Sequence, residues 1–395
     1  MEKSEKCKGL CHMTEKLYYE NSHIRSFSAR VTACEAAGDT YEVELSATAF
    51  FPGGGGQLCD GGTVGGVPLL SVREEGEHIY HRLASPLEPG REVECELDWE
   101  MRFGRMQLHS AEHIVCGLAH RRWGAENSGF HMNPDSVTLD LTVELSEEEL
   151  LWLEREANRI VWANTPFRCW FPEKEELAAL PYRSKKELTG DVRLVEIEGV
   201  DLCACCAPHV QLAGEIGLIR LPDAMRHRGG MRITLRAGRF ALEEEQKRGA
   251  VLGGLSSALS VPPERLGEAV ERLLSTLERQ KAELSQLQRA AMETLARSAE
   301  PENGALLFFV DACDRDALRA LVNLGLEKCA LCAAFSGQDG AWQYILGSRG
   351  RDLRAESRSI NAAIRGKGGG SPEMLQGSCS ASRQELEHFW EEFHG

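Results

Sequence analysis

Two imidazoles stand four residues apart in His109-Ser-Ala-Glu-His113, and a thiol and an imidazole share that spacing in Cys205-Cys-Ala-Pro-His209. On an α-helix, positions i and i+4 lie on one face, so His109 and His113 can reach one metal ion. Zinc accepts imidazole and thiolate together in a tetrahedral site. Either half alone is a weak signal, but two matched halves make a four-donor zinc site the expectation. Cys203 and Cys206 compete for the thiol place; Cys205 has the four-residue offset to His209. Cys7, Cys11 and His12 offer a second, weaker cluster, with a free solvated segment as the alternative.

Two glycine-rich stretches come next. Gly53 to Gly56 precede Gln57. Glycine permits positive φ and close approach of a ligand to the main chain, and Gln57 can both donate and accept hydrogen bonds. A flexible turn is the competing interpretation. Gly366-Lys-Gly-Gly-Gly370 reads as a loop whose amides can meet phosphate. It lacks the Lys-Ser/Thr pair of a nucleotide-hydrolysing loop, and the chain has no Gly-x-Ser-x-Gly elbow.

These residues need several elements to hold them. Residues 1–92 read as β-rich: Ser28 to Ala33 and Tyr41 to Ala49 roughly alternate apolar and polar types, as half-buried strands do. Met106 to Arg121 predicts a helix, and Ser146-Glu-Glu-Glu opens another with a capping pattern, ending before Pro166. Ser136 to Val143 and Val192 to Gly199 predict strands. In 239–300, Val270, Leu273, Leu277, Leu284, Leu287 and Ala291 follow near-heptad spacing, which predicts a long helix against a partner helix or its own domain. Residues 301–395 alternate strand and helix, with helices at 353–364 and 382–393. The fold class is α+β in four parts: a β-rich domain at 1–92, an α/β zinc-binding core at 93–238, a helical or coiled-coil linker at 239–300, and a C-terminal α/β domain at 301–395.

Composition narrows the class. At 395 residues the chain exceeds one ordinary core. No apolar run of about 18 residues occurs, so no membrane partner is expected. The charged N-terminal stretch does not resemble a secretory signal. Fourteen cysteines without one suggest a reducing cytoplasm. The net charge of −16 argues against a broad basic face for nucleic acid. A local patch remains: Arg349, Arg351, Arg354, Arg358, Arg365 and Lys367 face only Asp352 and Glu356 within the same stretch.

Taken together and in order, the motifs resemble those of the alanyl-tRNA editing proteins, free-standing relatives of the editing domain of alanyl-tRNA synthetase. Phe50-Phe-Pro-Gly-Gly-Gly-Gly-Gln57 is similar to that family's Phe-Tyr-Pro-Glu-Gly-Gly-Gly-Gln. Met106 to His113 looks like its metal-binding helix, and Ser128 to Asp140 like the strand region that follows. Cys205 to Gly217 is similar to its Cys-Gly-Gly-Thr-His segment, and Gly229 to Ile233 also fits. Arg365 to Pro372 resembles the glycine-rich motif of the DHHA1 domain of the long members. Gly53 departs from the usual Glu, and Cys206-Ala-Pro208 from Gly-Gly-Thr.

The resemblance implies a zinc-dependent aminoacyl-tRNA hydrolase acting on mischarged tRNA-Ala, chiefly the Ser ester and secondarily the Gly ester. His109, His113, Cys205 and His209 would hold Zn2+. Gly54, Gly55, Gly56 and Gln57 would line the pocket, with Gln57 at the reacting end. Ser110 is the candidate contact for the substrate hydroxyl. The six basic residues would hold tRNA, and residues 265–395 would dimerise. Glu112 receives no role from the resemblance. Two other readings stay open: a zinc metalloprotease, since His109 to His113 also fits H-x-x-E-H with Glu112 as base, and a non-catalytic tRNA-binding protein with a structural zinc.

Overall fold

The computed structural model describes residues 13–184 and 191–395. The Cys7, Cys11 and His12 cluster therefore lies outside the described residues. Two compact units form, Met1–Leu252 and Gly253–Gly395, and their boundary falls inside helix Gly238–Leu259. The fold is mixed, with helices and sheets in both units. Among the described residues, no helix is long and apolar enough to cross a membrane.

The first unit begins with a closed six-stranded barrel. Its strands run Ser26–Ala37, Thr40–Leu45, His78–Leu83, Val67–Glu75, Gly62–Val64 and Glu92–Leu97 around the circle. Alternation supplies the interior: Val43, Leu45, Ile79, Leu83, Val93 and Cys95 all turn inward. Closure needs Gly62. Its φ is +148°, and a Cβ there would stand 2.0 Å from the Glu96 carbonyl oxygen.

One polar side chain is sealed beside this barrel core. His81 is fully buried, with Nδ1 3.1 Å from the Val43 carbonyl and Nε2 2.8 Å from Thr48 Oγ1. Nδ1–H donates to the carbonyl, so Nε2 accepts the hydroxyl proton. Thr48 Oγ1 in turn accepts from the Phe50 amide at 3.2 Å. A barrel side chain thus anchors the start of the glycine-rich loop.

The chain then enters helix Trp99–Trp123. Asp98 caps it by accepting from the Met101 amide, and Gly124 ends it in the left-handed region at φ +65°. The helix is buried on nearly all sides from Met106 to Ala119. Around it lie a four-stranded antiparallel sheet (Ile219–His227, Gly230–Ala237, Val137–Leu141, Asn127–Met132) and a three-stranded one (Phe167–Trp170, Leu194–Ile197, Asp201–Ala204). Helix Glu147–Trp162 starts with the expected capping box, Ser146 with Glu149.

In the second unit, a five-stranded sheet runs Ala305–Val310, Leu331–Gln338, Ala341–Ser348, Met374–Cys379, Gly366–Gly370. Its first pair is parallel, joined through helix Arg315–Lys328. Two expectations need correcting. Gly366–Gly370 is an edge strand paired with Met374–Cys379, not a loop. Gly368 fits because a Cβ would meet Tyr344 Oη at 2.3 Å. The helix expected at 353–364 is confined to Ser357–Ala363, because Leu353 is taken into a turn against Pro372.

The long helix is Leu266–Ser298. Met292 and Ala296, near its C-terminal end, pack with Leu318 and Val322 in one core. Leu273, Leu277, Leu284 and Leu287 are 57–63% exposed. The expected seam exists as a surface stripe between two buried ends, Leu266 and Ala269 at the start and Met292 and Ala296 at the finish.

The buried His81 generates a pH prediction. Burial pushes its pKa from 6.5 down to about 4. Above pH 6.5 the ring is neutral folded and unfolded, and stability is independent of it. Between pH 6.5 and 4 the unfolded chain takes up a proton that the native barrel refuses. Stability should fall by ~3 kcal/mol over that window through this residue alone. Urea unfolding of wild type and His81→Gln across pH 4–7 checks it: the wild-type curve should be steeper. Parallel curves would remove His81 as the cause.

Candidate metal centre and cavity

His109 and His113 leave one face of helix Trp99–Trp123, and Cys205 and His209 come from the segment after strand Asp201–Ala204. Their ligand atoms all lie within 4.8 Å of one another. Cys205 Sγ is 3.7 Å from His109 Nε2 and 3.4 Å from His209 Nε2. All three imidazoles are nearly fully buried. The structure thus brings the two half-sites together as one four-donor cluster.

Each imidazole is braced from behind. His109 Nδ1 donates to Gln57 Oε1 at 2.9 Å. His209 Nδ1 is 3.0 Å from Ser110 Oγ, which also accepts from the Val210 amide at 3.2 Å. His113 Nδ1 lies 3.3 Å from Asp201 Oδ2, an ion-pair approach whose angle is poor for a hydrogen bond. Asp201 is held in turn by two 2.8 Å bonds from Arg183. With an oxygen behind each Nδ1, each Nε2 is left to face inward, as the outer partners of metal-binding histidines arrange it. This fit, with a thiolate added, supports a metal ion held by these four residues.

Electrostatics separate the three rival thiols. Burial opposes a Cys205 thiolate, but His109 and His209 outweigh it and hold the thiol well below its ordinary range. Burial instead pushes Cys206 up to about 11, and it raises Cys203 as well. Cys205 is therefore the thiol suited to a cation. Burial pushes His209 down to about 3, against the pull of Cys205, so the ring is neutral and able to donate a lone pair. His113 is pulled the other way. Burial disfavours its charge, yet Asp201 and Cys205 hold it well above its ordinary range. Cys203 and Asp201 form a second close group with His113, at the edge of the first.

A buried lattice positions the glycine-rich loop against this centre. Asp60 Oδ2 accepts from the Phe51 amide at 2.7 Å and from Arg102, which also donates to the Ala49 carbonyl. Arg102 belongs to the metal-bearing helix, so loop and helix share one buried ion pair. Gly54 and Gln57 exchange both backbone hydrogen bonds, with Gly55 at φ +59° and Gly56 at φ +89° between them. Both central residues have positive φ, as a tight two-residue turn demands. A Cβ on Gly56 would meet the Phe130 ring at 2.2 Å. Phe130 stacks on His109, ring centroids 5.0 Å apart. Gly53 sits at φ +91°, where a side chain is strained.

The centre opens on a cavity of about 580 Å³. Gly55, Gly56, His109, His113, Phe130 and Cys205 contribute to its wall. Gln57 and Ser110 do not stand in that wall: both are buried behind ligands. Gly54 lies under Cys206, whose Sγ would meet its Cβ at 3.3 Å. Arg193 ties the Cys206-Ala-Pro departure down, donating to the Cys205 and Ala207 carbonyls at 3.0 and 2.8 Å. Asp201, Arg183, Arg193 and Phe130 were missed by spacing arguments. Glu112, named in the sequence only as the base of the metalloprotease reading, also stands in the wall.

The six basic residues lie in the other unit. Arg351 is paired with Glu356 at 2.7 Å and covers Phe393, and Arg365 is paired with Glu385. Arg349, Arg354, Arg358 and Lys367 are exposed.

Comparisons with known proteins point to one group of relatives. Residues 192–233, which include Cys205 and His209, match the family described as "Threonyl and Alanyl tRNA synthetase second additional domain". The chain is 27% identical to "Alanyl-tRNA editing protein Aarsd1" of Danio rerio over 362 residues, covering 88% of this chain and 87% of that protein. It is 25% identical to the protein of that name from Mus musculus, covering 94% and 95%. It is 31% identical to "Alanine--tRNA ligase" of Methanopyrus kandleri over 92% of this chain, but spans only 42% of that longer protein.

The bracing generates a prediction about metal. Cys205→Ala should lose the bound ion, and Gln57→Ala should weaken binding by about 10- to 100-fold, as loss of a histidine's outer partner does. Elemental analysis and chelator competition check both. Unchanged affinity in Gln57→Ala would show that the 2.9 Å contact does not orient His109.

Proposed function

We propose that this chain, homologous to alanyl-tRNA editing proteins along nearly its whole length, hydrolyses the aminoacyl ester of mischarged tRNA-Ala. Ser-tRNA-Ala is the chief substrate and Gly-tRNA-Ala the second. The observation that carries the reading is the junction of donor cluster and cavity: His109, His113 and Cys205 line the same space as the glycine turn. A purely structural zinc would have no need of such an opening.

His109, His113, Cys205 and His209 would hold zinc. When bound, the ion supplies positive charge that polarises an ester carbonyl or a water. The chain's own residues do the rest. Gln57 and Ser110 fix the rings of His109 and His209. Gly55, Gly56 and Phe130 shape the wall, leaving room for the terminal nucleoside beside a small aminoacyl group. The buried setting keeps bulk water from competing for the polar contacts. A pocket that bonds a hydroxyl can reject the correct Ala ester, which has none to offer.

In the second unit, read as DHHA1-like, the tRNA contacts are assigned to the exposed Arg349, Arg354, Arg358 and Lys367. Arg351 and Arg365 belong to the same stretch, but each already faces a carboxylate. The exposed leucines of helix Leu266–Ser298 would carry a homodimer contact within 265–395.

Deacylation of Ser-, Gly- and Ala-tRNA-Ala by the purified zinc-loaded protein tests the function, with a casein digest in parallel. The Ser ester should be cleaved, the Ala ester spared and casein left intact. Peptide cleavage without deacylation would favour the metalloprotease reading. Tight tRNA binding without hydrolysis would favour the non-catalytic one.

The basic patch has its own expected outcome. Replacing Arg354, Arg358 and Lys367 together with Ala should weaken tRNA binding. It should also flatten the dependence of log affinity on log salt by roughly 0.7–0.9 per lost phosphate contact. Affinity measured across a salt series checks this, and an unchanged slope would remove the patch from the interface.

A further inference from the structure

A buried guanidinium in the cavity wall has no carboxylate beside it. Arg193 is 6% exposed and directly precedes strand Leu194–Ile197. Its Nη1 spends both protons on the carbonyls of Cys205 and Ala207, at 3.0 and 2.8 Å. A guanidinium has five N–H donors, so Nε and Nη2 carry the other three. Among the described residues those three meet no oxygen, and neither nitrogen is sealed from open space. The Cys169 thiol stands beside the guanidinium, but burial pushes it up, so it stays a neutral and weak acceptor. The Tyr19 ring centroid lies 5.4 Å from the guanidinium carbon and carries no charge either. Arg193 also stands in the wall of the cavity on which the metal centre opens.

The carboxylates nearby are engaged elsewhere or open to solvent. Asp201 is committed to Arg183 and His113. Glu112 approaches His113 and accepts from Asn127. Asp191, also in the wall, is exposed to solvent, where a charge attracts weakly. A guanidinium taken out of water without a counter-charge favours an anion. Nε and Nη2 form one edge of its fork, and parallel N–H groups on such an edge match two oxygens of a phosphate. An aminoacyl ester at the end of an RNA has one such anion close by: the phosphodiester that joins the terminal nucleoside to the chain. With the ester at the metal centre, that phosphate lies one nucleoside away from it.

We propose that Arg193 binds the phosphodiester of the terminal nucleotide, so that the site recognises the end of an RNA chain over a free aminoacyl nucleoside. This rests on the reading of the site as an aminoacyl-tRNA hydrolase. Hydrogen bonds to a charged partner in a buried setting are worth about 10- to 100-fold in binding. Arg193 acts in this role as a substrate contact, while the same side chain ties down the carbonyls on either side of Cys206.

The test uses a non-hydrolysable seryl-amide of adenosine in two forms, without and with a methyl phosphodiester where the RNA chain would continue. Calorimetry measures the binding of both to zinc-loaded full chains of wild type and Arg193→Gln. Wild type should bind the phosphodiester form about 10- to 100-fold more tightly, and in Arg193→Gln that preference should vanish. The preference is a ratio within one protein, so a merely structural loss of the carbonyl ties would weaken both forms and leave it unchanged. No preference in wild type, or an undiminished one in Arg193→Gln, would overturn the proposal. Deacylation of Ser-tRNA-Ala by wild type is measured alongside. If it is absent, the hydrolase reading fails and the proposal with it; if it is present without the preference, the proposal alone fails. Should Arg193→Gln not fold, a methylphosphonate diester decides on the wild-type protein, since it keeps the shape without the charge. It should bind no better than the form without phosphate; binding equal to that of the phosphodiester overturns the proposal.

Discussion

Three buried imidazoles and the half-buried Cys205 thiol, within 4.8 Å of one another, are the constraint around which the first unit is organised. Such a group cannot be left to itself away from water. A thiol shifted toward its thiolate among imidazoles needs positive charge, and buried imidazoles need partners for both nitrogens. The fold meets the second need with oxygens from three separate places: Gln57 from the glycine turn, Ser110 from the helix, and Asp201 from the strand that leads to Cys205. The first need is one that a divalent cation satisfies. Around this centre the Asp60–Arg102 pair, the His81–Thr48 bond and the Arg193 carbonyl contacts hold the backbone that carries the oxygens.

That arrangement divides labour differently from a simple list of polar residues in a pocket. The residues with obvious hydrogen-bonding capacity, Gln57 and Ser110, are consumed in orienting ligands. The cavity wall is left to glycines and Phe130, with Glu112, Asn127, Arg183, Asp191 and Arg193 as its polar members. A site built this way holds its candidate metal-binding side chains from behind and presents groups of both charge signs to whatever enters.

The residues legible in the sequence were those whose role follows from local spacing. His109 and His113 share a helix face wherever that helix lies, and the capping pattern at Ser146 needs no tertiary information. Pairing the two half-sites also succeeded, because matched donor types restrict what each half can do. The partners of Gln57 and Ser110 were not legible, since each depends on which way a buried side chain turns across a contact of 52 or 99 residues in sequence. Gly366–Gly370 misled for a related reason. Glycine repeats usually mark loops, and only the close approach of Tyr344 and of the neighbouring strand shows why small residues suit a strand there.

That same strand has a consequence for the behaviour of the protein in concentrated solution. Gly366–Gly370 is the outermost strand of its sheet, and four of its five residues lack a side chain. Its outward amides and carbonyls are therefore a template on which another chain could add a strand, except where Asn361 Nδ2 already donates to the Gly368 carbonyl at 3.1 Å. Lys367 is the strand's own sole side chain, and a charged lysine is what natural sheets commonly use to discourage such addition. The residue assigned to a phosphate contact thus also guards against self-templated aggregation, and an RNA bound there would cover the edge as well.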